Sequence, residues 1–482
     1  MILRLRMYTL FSANLFNLRA ASALLALLLS AATLSGQKTA HVQIDLKTEL
    51  AVVPAAGYGI HTSIYDNNFT AADLTQKLKT AGATALRFPG GSYSDCYHWK
   101  THSATVGTTL YINPNDTFDN FMTKDVLPLG AQAVITVNYG SNQAGTGGAD
   151  PAEAADWVRY ANIEKGWKVR YWEIGNEIGG NGYFGPEWEY DLHAPDPKGP
   201  NRKGNPALSM AAYGKNSLEF ISAMKAVDPT IKIGVGVDMP DYNTANGTGN
   251  EALFKEVRDK IDFIIVHWYP KASTTDLTVT EDIKPQVAVL RDQLAKFAGP
   301  AMRNIPLGIT ETNGGGSGAG RAIFATDTYL TWFEEGAFNV DWLELHAGFL
   351  SDVPKEVPDD TPAEAYYGME MASTAARPGD TLVGAESSSP MLNVHAVKRQ
   401  DGGVAIVLIN KHPNQPYLVN VSMQDAPAAT SGKRIDFGRA NFGASAAWAS
   451  SGPVESKIDG LGKSFSVTVP ATSEVVLLIP GK

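Results

Sequence analysis

Between residues 57 and 377 short apolar runs alternate with longer amphipathic ones. The short runs are "YGIHTSI", "TALRFPG", "QAVITVNYG", "VRYWEIGNE", "IKIGVGV", "IDFIIVHWY", "IPLGITE" and "VDWLELHAG". They are rich in β-branched and aromatic residues, which suits strands buried on both faces. Between them lie stretches such as "TAADLTQKLKTAG", "PAEAADWVRYANIEKG" and "TEDIKPQVAVLRDQLAKFAG", whose apolar positions recur at helical spacing. Strands alternating with helices make parallel βα units. Eight of them over residues 55–378 predict an α/β fold, a (β/α)8 barrel of the TIM type with room for long loops.

After the helical stretch "PAEAYYGMEMASTAARPG" the period changes. The runs "LNVHAVKRQ", "GVAIVLINK", "YLVNVSM", "SFSVTVP" and "SEVVLLIP" alternate or are wholly apolar, and turn residues separate them. Residues 379–482 are therefore expected to form a C-terminal antiparallel β-sandwich. The early run "HVQIDL" alternates as well, and residues 41–54 are expected to add a strand to that sandwich.

Composition narrows the picture a little. With 19% charged and 44% hydrophobic residues the chain reads as an ordinary globular protein, and a net charge of -10 argues against a nucleic-acid partner. Arg4, Arg6 and Arg19 precede "AASALLALLLSAATLSG", a run too short and too alanine-rich for a membrane span. Residues 1–38 are expected to be a signal peptide cleaved between Ser35 and Ala40, making the protein secreted or periplasmic, with no integral span after cleavage. The lone Cys96 excludes an internal disulfide and a zinc–thiolate cluster. Asn68, Asn115, Asn246 and Asn420 begin glycosylation sequons, which matter only if the source glycosylates exported proteins.

In a barrel of this kind chemistry gathers at the C-terminal strand ends. The ends supply Arg87, Asn138, Tyr139, Asn176, Glu177, His267, Trp268, Tyr269, Glu311, Trp342, Glu344 and His346. The fourth and seventh runs both finish in glutamate, Glu177 and Glu311. Those strands lie on roughly opposite sides of an eight-stranded ring, so the two carboxyls can face each other across its mouth. A pair of carboxyls flanking one bond is what glycoside hydrolysis requires: one neutral, to protonate the leaving oxygen, and one ionised, to attack or to activate water. Arg87 is the candidate cation for the ionised member, and Tyr269 a candidate donor to it. Glu173, deeper in the fourth run, is expected to support the site from below through Arg87.

Other signals in the chain are weaker than this one. In "GGGSGAGR", Gly314, Gly316 and Ala319 match a dinucleotide spacing, but the strand before them is the seventh of its series and not the first of a doubly wound unit. No His, Asp or Glu cluster has metal-ligand spacing along the chain, no nucleophile elbow is present, and no cofactor is called for. Aromatic residues crowd the strand-end loops at Tyr93, Tyr97, Trp99, Tyr183, Trp188, Trp268 and Trp342, as stacking on sugar faces would require. The long loop "GPEWEYDLHAPDPKGPNRKGNP" can open or close the mouth; its Glu187 and Glu189 are read as solvated.

"WEIGNE" with "GITE" ending 134 residues after Glu177 resembles glycoside hydrolase clan A, whose members are retaining enzymes on a (β/α)8 barrel. "LRFPGG" resembles the second-strand motif of the family 51 arabinofuranosidases. The sandwich with an N-terminal contribution is similar to families 51, 39 and 79. The resemblance implies that Glu177 is the acid/base, Glu311 the nucleophile, Asn176 a binder of the sugar 2-hydroxyl and Tyr269 a donor to the nucleophile. His267, Asn138, Trp268 and Trp342 are the further candidates for binding or support. One departure stands out: family 51 sites commonly hold arabinose with a glutamate from the first-strand region, and "GIHTSIYDNN" offers His61 and Asp66 instead. The expectation is an exported retaining glycosidase acting on a plant-type carbohydrate, most like an α-L-arabinofuranosidase. β-Glucuronidase, β-xylosidase and endo-β-glycanase activity stay open, as does a non-catalytic carbohydrate-binding protein.

Overall fold

Each of the eight runs forms a strand, and the eight close on themselves in chain order. The computed structural model describes residues 37–481 apart from 70, 72, 181–190, 194–205, 241–246, 271–275, 347, 352–357, 359, 443–447 and 450. The barrel strands are Tyr58–His61, Ala85–Phe88, Gln132–Val137, Tyr171–Ile174, Lys232–Val237, Phe263–Trp268, Leu307–Thr312 and Ala337–Trp342, all parallel to their neighbours. The eighth starts before its apolar run and stops at Trp342, so Glu344 and His346 lie in the loop beyond it.

The barrel interior is filled in layers, as the fold demands. At the bottom Tyr171, Phe263 and Phe338 pack together, with the Tyr171 and Phe338 rings 4.6 Å apart and those of Phe263 and Phe338 4.9 Å apart. Above them lies a polar layer. Glu173 accepts from Thr136 Oγ1 at 2.7 Å, and Asn339 Nδ2 donates to Asp341 at 2.8 Å. Gly59 is required here, since a Cβ would fall 1.6 Å from Asp341 Oδ1. Arg87 spans from this layer to the mouth.

The C-terminal part is one nine-stranded curled sheet. It contains all five expected strands, joined by Lys38–Val52, which pairs antiparallel with Thr381–Ser387 and parallel with Tyr417–Gln424. Three strands were not legible as apolar runs. Thr381–Ser387 carries Gly384 and turns polar, Ser431–Gly438 is largely polar, and Val454–Asp459 is an exposed edge. Strand Val404–Asn410 shows the two-sided burial most clearly. Val404, Ile406 and Leu408 face the sandwich interior, whereas Ala405, Val407 and Ile409 join the barrel's hydrophobic core. That shared core is closed by a buried polar lock. Asp327, on the helix Ala319–Glu334, meets Lys411 at 2.8 Å, His395 at 2.9 Å and Asn393 at 2.6 Å. Burial penalises the Asp327 carboxylate, but Lys411 and His395 hold its pKa well below the usual range.

The interior carboxyls give stability a definite pH dependence. Burial pushes Asp341, Asp116 and Asp125 each up to about 8. A carboxyl titrates near 4 in the unfolded chain, so the folded state binds these protons more tightly. Their contribution is full below pH ~4 and is lost as pH rises through 8. The urea midpoint should therefore fall between pH 5 and 8.5, and Asp341→Asn should flatten that fall. A midpoint that rises over this range would refute the assignment.

Candidate active site

The site is assembled at the barrel mouth by the turn in "EIGNE". Gly175 and Glu177 both take left-handed backbone conformations, φ 66° and 48°. Glycine does so freely, but for glutamate it costs on the order of 1–2 kcal/mol, so the surroundings must hold it. They do: both carboxylate oxygens of Asp95 accept from the Asn176 backbone N–H at 3.1 Å. The Tyr213 hydroxyl, from the helix Pro206–Val227, donates to the Ile174 carbonyl at 2.5 Å. A side chain at Gly175 has no room, since its Cβ would stand 2.8 Å from Tyr139 Cβ and from Ile178 Cγ1.

Arg87 organises the site. It is fully buried and donates Nε to Glu173 Oε2 at 2.9 Å, an Nη1 proton to Glu311 Oε1 at 2.8 Å, and Nη2 to Asn176 Oδ1 at 2.9 Å. Nη1 also lies 2.9 Å from His61 Nδ1. A guanidinium only donates, so His61 Nδ1 is the acceptor and its ring proton sits on Nε2. Burial pushes the His61 pKa down to about 3, which keeps the ring neutral at working pH.

Glu311 is gripped at both oxygens, by Arg87 at Oε1 and by the Tyr269 hydroxyl at Oε2, 2.7 Å away. Burial by itself would raise its pKa. His267, Arg87 and the Tyr269 hydrogen bond outweigh burial and hold the carboxylate low, with His61 adding charge only under strongly acid conditions. His267 stands between the two glutamates. Its Nδ1 is 2.8 Å from Glu177 Oε1 and 3.4 Å from Glu311 Oε2, and its Nε2 is 3.3 Å from Thr310 Oγ1. Burial lowers the His267 pKa, but the two carboxylates reverse this and raise it above the ordinary value. One oxygen of Glu177, one of Glu311 and a His267 nitrogen all lie within 4.8 Å of one another.

A cavity of about 210 Å³ opens onto this group and is lined by His61, Tyr65, Gly90, Gly91, Ser92, Tyr93, Asn176, Glu177, Glu311 and Leu343. The Tyr65 and Tyr93 rings, 4.8 Å apart, form an aromatic rim. Gly90 brings the backbone close, since a Cβ there would fall 1.9 Å from the Thr62 carbonyl oxygen.

The structure thus brings together Glu177, Glu311, Arg87, Asn176, His267 and Tyr269. Three sequence candidates do not join them. Trp268 follows the inward-facing His267 on its strand, so alternation turns it outward. It stacks on Phe324 of the helix Ala319–Glu334, with ring centroids 6.0 Å apart, and is core packing. Trp342 meets the same Phe324 and is equally buried. Asn138 uses its amide on the following turn, donating to the Ser141 carbonyl and accepting from the Ser141 N–H. The aromatic group likewise disperses. Tyr93 reaches the cavity, Tyr97 is buried, Trp99 stacks on Trp157, and Tyr183 and Trp188 lie outside the described residues, as do Glu187 and Glu189. At the Gly-rich loop the Glu364 carboxylate accepts from the Gly318 N–H at 2.8 Å, occupying the helix start where a phosphate would sit.

Sequence reasoning missed Tyr65, Asp95, the His61–Arg87 contact and Asp238. Asp238 follows the fifth strand. Burial and the Glu177 charge push it up to about 6, and its Oδ2 has no hydrogen-bond partner among the described residues. Asp238 closes the fifth apolar run and His61 ends the first strand, so the strand-end signal could have found both, whereas Tyr65 and Asp95 lie in loops beyond the strands where it does not reach.

No family model matches the chain. Among curated proteins it is 24% identical over 258 residues to alpha-L-arabinofuranosidase C of Emericella nidulans, covering 46% of this chain and 45% of that protein. It is 26% identical over 212 residues to an intracellular exo-alpha-L-arabinofuranosidase of Bacteroides ovatus, covering 35% and 40%. These matches span less than half the length of those relatives. Among solved structures, the alpha-L-arabinofuranosidase from Thermotoga maritima in complex with arabinose superposes with TM-score 0.72 at 16% identity, over 92% of this chain and all of that one. A family 44 xyloglucanase of Paenibacillus polymyxa gives 0.67 at 14% identity, over 92% and 100%. The chain therefore has the barrel-plus-sandwich fold of these glycosidases, and its sequence similarity runs to arabinofuranosidases.

Proposed function

We propose that the protein is a retaining glycoside hydrolase of the α-L-arabinofuranosidase type. The observation that carries this is the approach of Glu177 and Glu311 oxygens to within 4.8 Å of each other. Retaining enzymes hold their carboxyls about 5–5.5 Å apart, whereas inverting enzymes leave about 6.5–9.5 Å for an intervening water. Similarity to arabinofuranosidases supports the substrate class. The cavity of about 210 Å³ is below the roughly 300–1,000 Å³ typical of drug-sized ligands, which favours a single sugar residue over a chain. The basic then apolar N-terminus supports export.

In this reading Glu311, ionised by Arg87 and His267 and aligned by Tyr269, attacks the anomeric carbon. Glu177 gives its proton to the departing oxygen, and a glycosyl ester forms on Glu311. The 2.8 Å contact between Glu177 Oε1 and His267 Nδ1 gives Glu177 a hydrogen-bonded path for that proton. Once Glu311 is esterified, Glu177 takes a proton from water, which attacks the same carbon and releases the sugar with its configuration kept. Asn176, fixed by Arg87 at Oδ1, lines the cavity beside both glutamates, where a sugar hydroxyl can meet its amide.

Glu177→Gln keeps the shape and removes the proton. Hydrolysis of an aryl arabinofuranoside with a poor leaving group should fall about 10²–10⁴-fold. Formation of the ester from a dinitrophenyl glycoside, which leaves unaided, should be little changed. Equal loss with both substrates would show that Glu177 is not the proton donor.

A further inference from the structure

We propose that Glu177, His267 and Glu311 also form a zinc site, and that Zn²⁺ bound there closes the pocket to sugar. The closing of the pocket rests on the reading of the two glutamates as the reacting pair; the metal site itself rests on geometry alone.

Among the described residues three histidines stand between two acids. His346 meets Asp66 through Nδ1 and Asp360 through Nε2. His395 meets Glu334 through Nδ1 and Asp327 through Nε2. In both, the acids lie on opposite sides of the ring, which two ring protons satisfy and one metal ion cannot. His267 differs, because Glu177 at 2.8 Å and Glu311 at 3.4 Å approach the same nitrogen, Nδ1. Three ligand atoms thus converge on one point. They all lie within 4.8 Å of one another, so an ion among them needs only a small closure to reach zinc–ligand distances of about 2.0–2.2 Å.

The surroundings suit a metal. His267 Nε2, 3.3 Å from Thr310 Oγ1, can donate its proton there and leave the Nδ1 lone pair for an ion, the support that metal-bound histidines ordinarily have. Glu177 and Glu311 line the cavity, so an ion can enter and a water can complete the tetrahedron. One imidazole with two carboxylates fits zinc. Magnesium prefers an all-oxygen octahedron and should not compete. Arg87, 2.8 Å from Glu311, opposes any cation and makes the site weaker than a dedicated structural one. Spacing along the chain could not show this group, because its members come from the fourth, sixth and seventh strands.

Calorimetric titration of the full chain with ZnCl₂ tests the site without turnover. The expected result is one bound Zn²⁺, no comparable heat from MgCl₂, and at least tenfold weaker zinc binding in both Glu177→Gln and Glu311→Gln, each confirmed folded by its melting profile. Zinc should also inhibit competitively against an aryl arabinofuranoside. Zinc binding that is absent, or unchanged in both variants, overturns the proposal. The two readings fail separately: a chain that binds zinc here but hydrolyses no glycoside refutes the functional reading alone, and an active chain without zinc binding refutes this one alone.

Discussion

Glu311→Ala should abolish turnover of an aryl arabinofuranoside, lowering kcat on the order of 10⁴–10⁶-fold, the loss seen when a covalent nucleophile is removed. The expectation follows from how the carboxylate is held. Arg87 and Tyr269 fix its two oxygens, and the positive charge around it keeps it ionised in a buried setting where a lone carboxyl would protonate. Glu173, beneath Arg87, and Asp341, in the layer below, do not line the cavity and so cannot replace it. The truncation leaves space where the carboxylate stood. Added azide should enter it, attack the anomeric carbon and yield a glycosyl azide. A variant with near-normal activity, or one that azide does not restore while the fold is intact, would place the nucleophile elsewhere.

The second large effect is expected at Arg87. Its guanidinium satisfies two carboxylates and an amide while itself wholly buried. Replacement by methionine leaves Glu173 and Glu311 as uncompensated buried charges, and such losses cost about 3–5 kcal/mol. Arg87→Met should therefore melt well below the wild type. Arg87→Lys, which keeps a charge but not the planar fork, separates stability from chemistry. It cannot reach Glu173, Glu311 and Asn176 together, so Glu311 loses part of the field that holds its pKa down. The nucleophile works only when ionised, so the acid limb of kcat/KM should move to higher pH. A folded Arg87→Lys enzyme with an unmoved acid limb would show that Arg87 does not set the state of Glu311.

The fold was legible because its grammar is periodic. Eight apolar runs spaced by amphipathic helices admit few alternatives, and the strand-end rule led directly to Glu177, Glu311, Arg87 and Tyr269. Two misplacements came from ignoring parity. On the sixth strand the inward His267 obliges Trp268 to face outward, and the sequence held that information. Trp342, one residue beyond the inward Asp341, has the same explanation. What was not legible depends on loops folding back. Asp95 reaches the Asn176 N–H from the loop after the second strand, and Tyr65 reaches Tyr93 from the loop after the first. The polar sandwich strands were lost because an exposed edge carries no apolar signal.

The glutamates of "YWEIGNE" separate cleanly in the structure. Glu173 anchors Arg87 from below, and Glu177 projects from a left-handed turn toward Glu311. The account stands on double displacement between Glu177 and Glu311. Proton NMR of the first product released from an aryl α-L-arabinofuranoside, recorded before mutarotation, tests that most directly. The account predicts free sugar with the same anomeric configuration as the substrate. First product of the opposite configuration would contradict it.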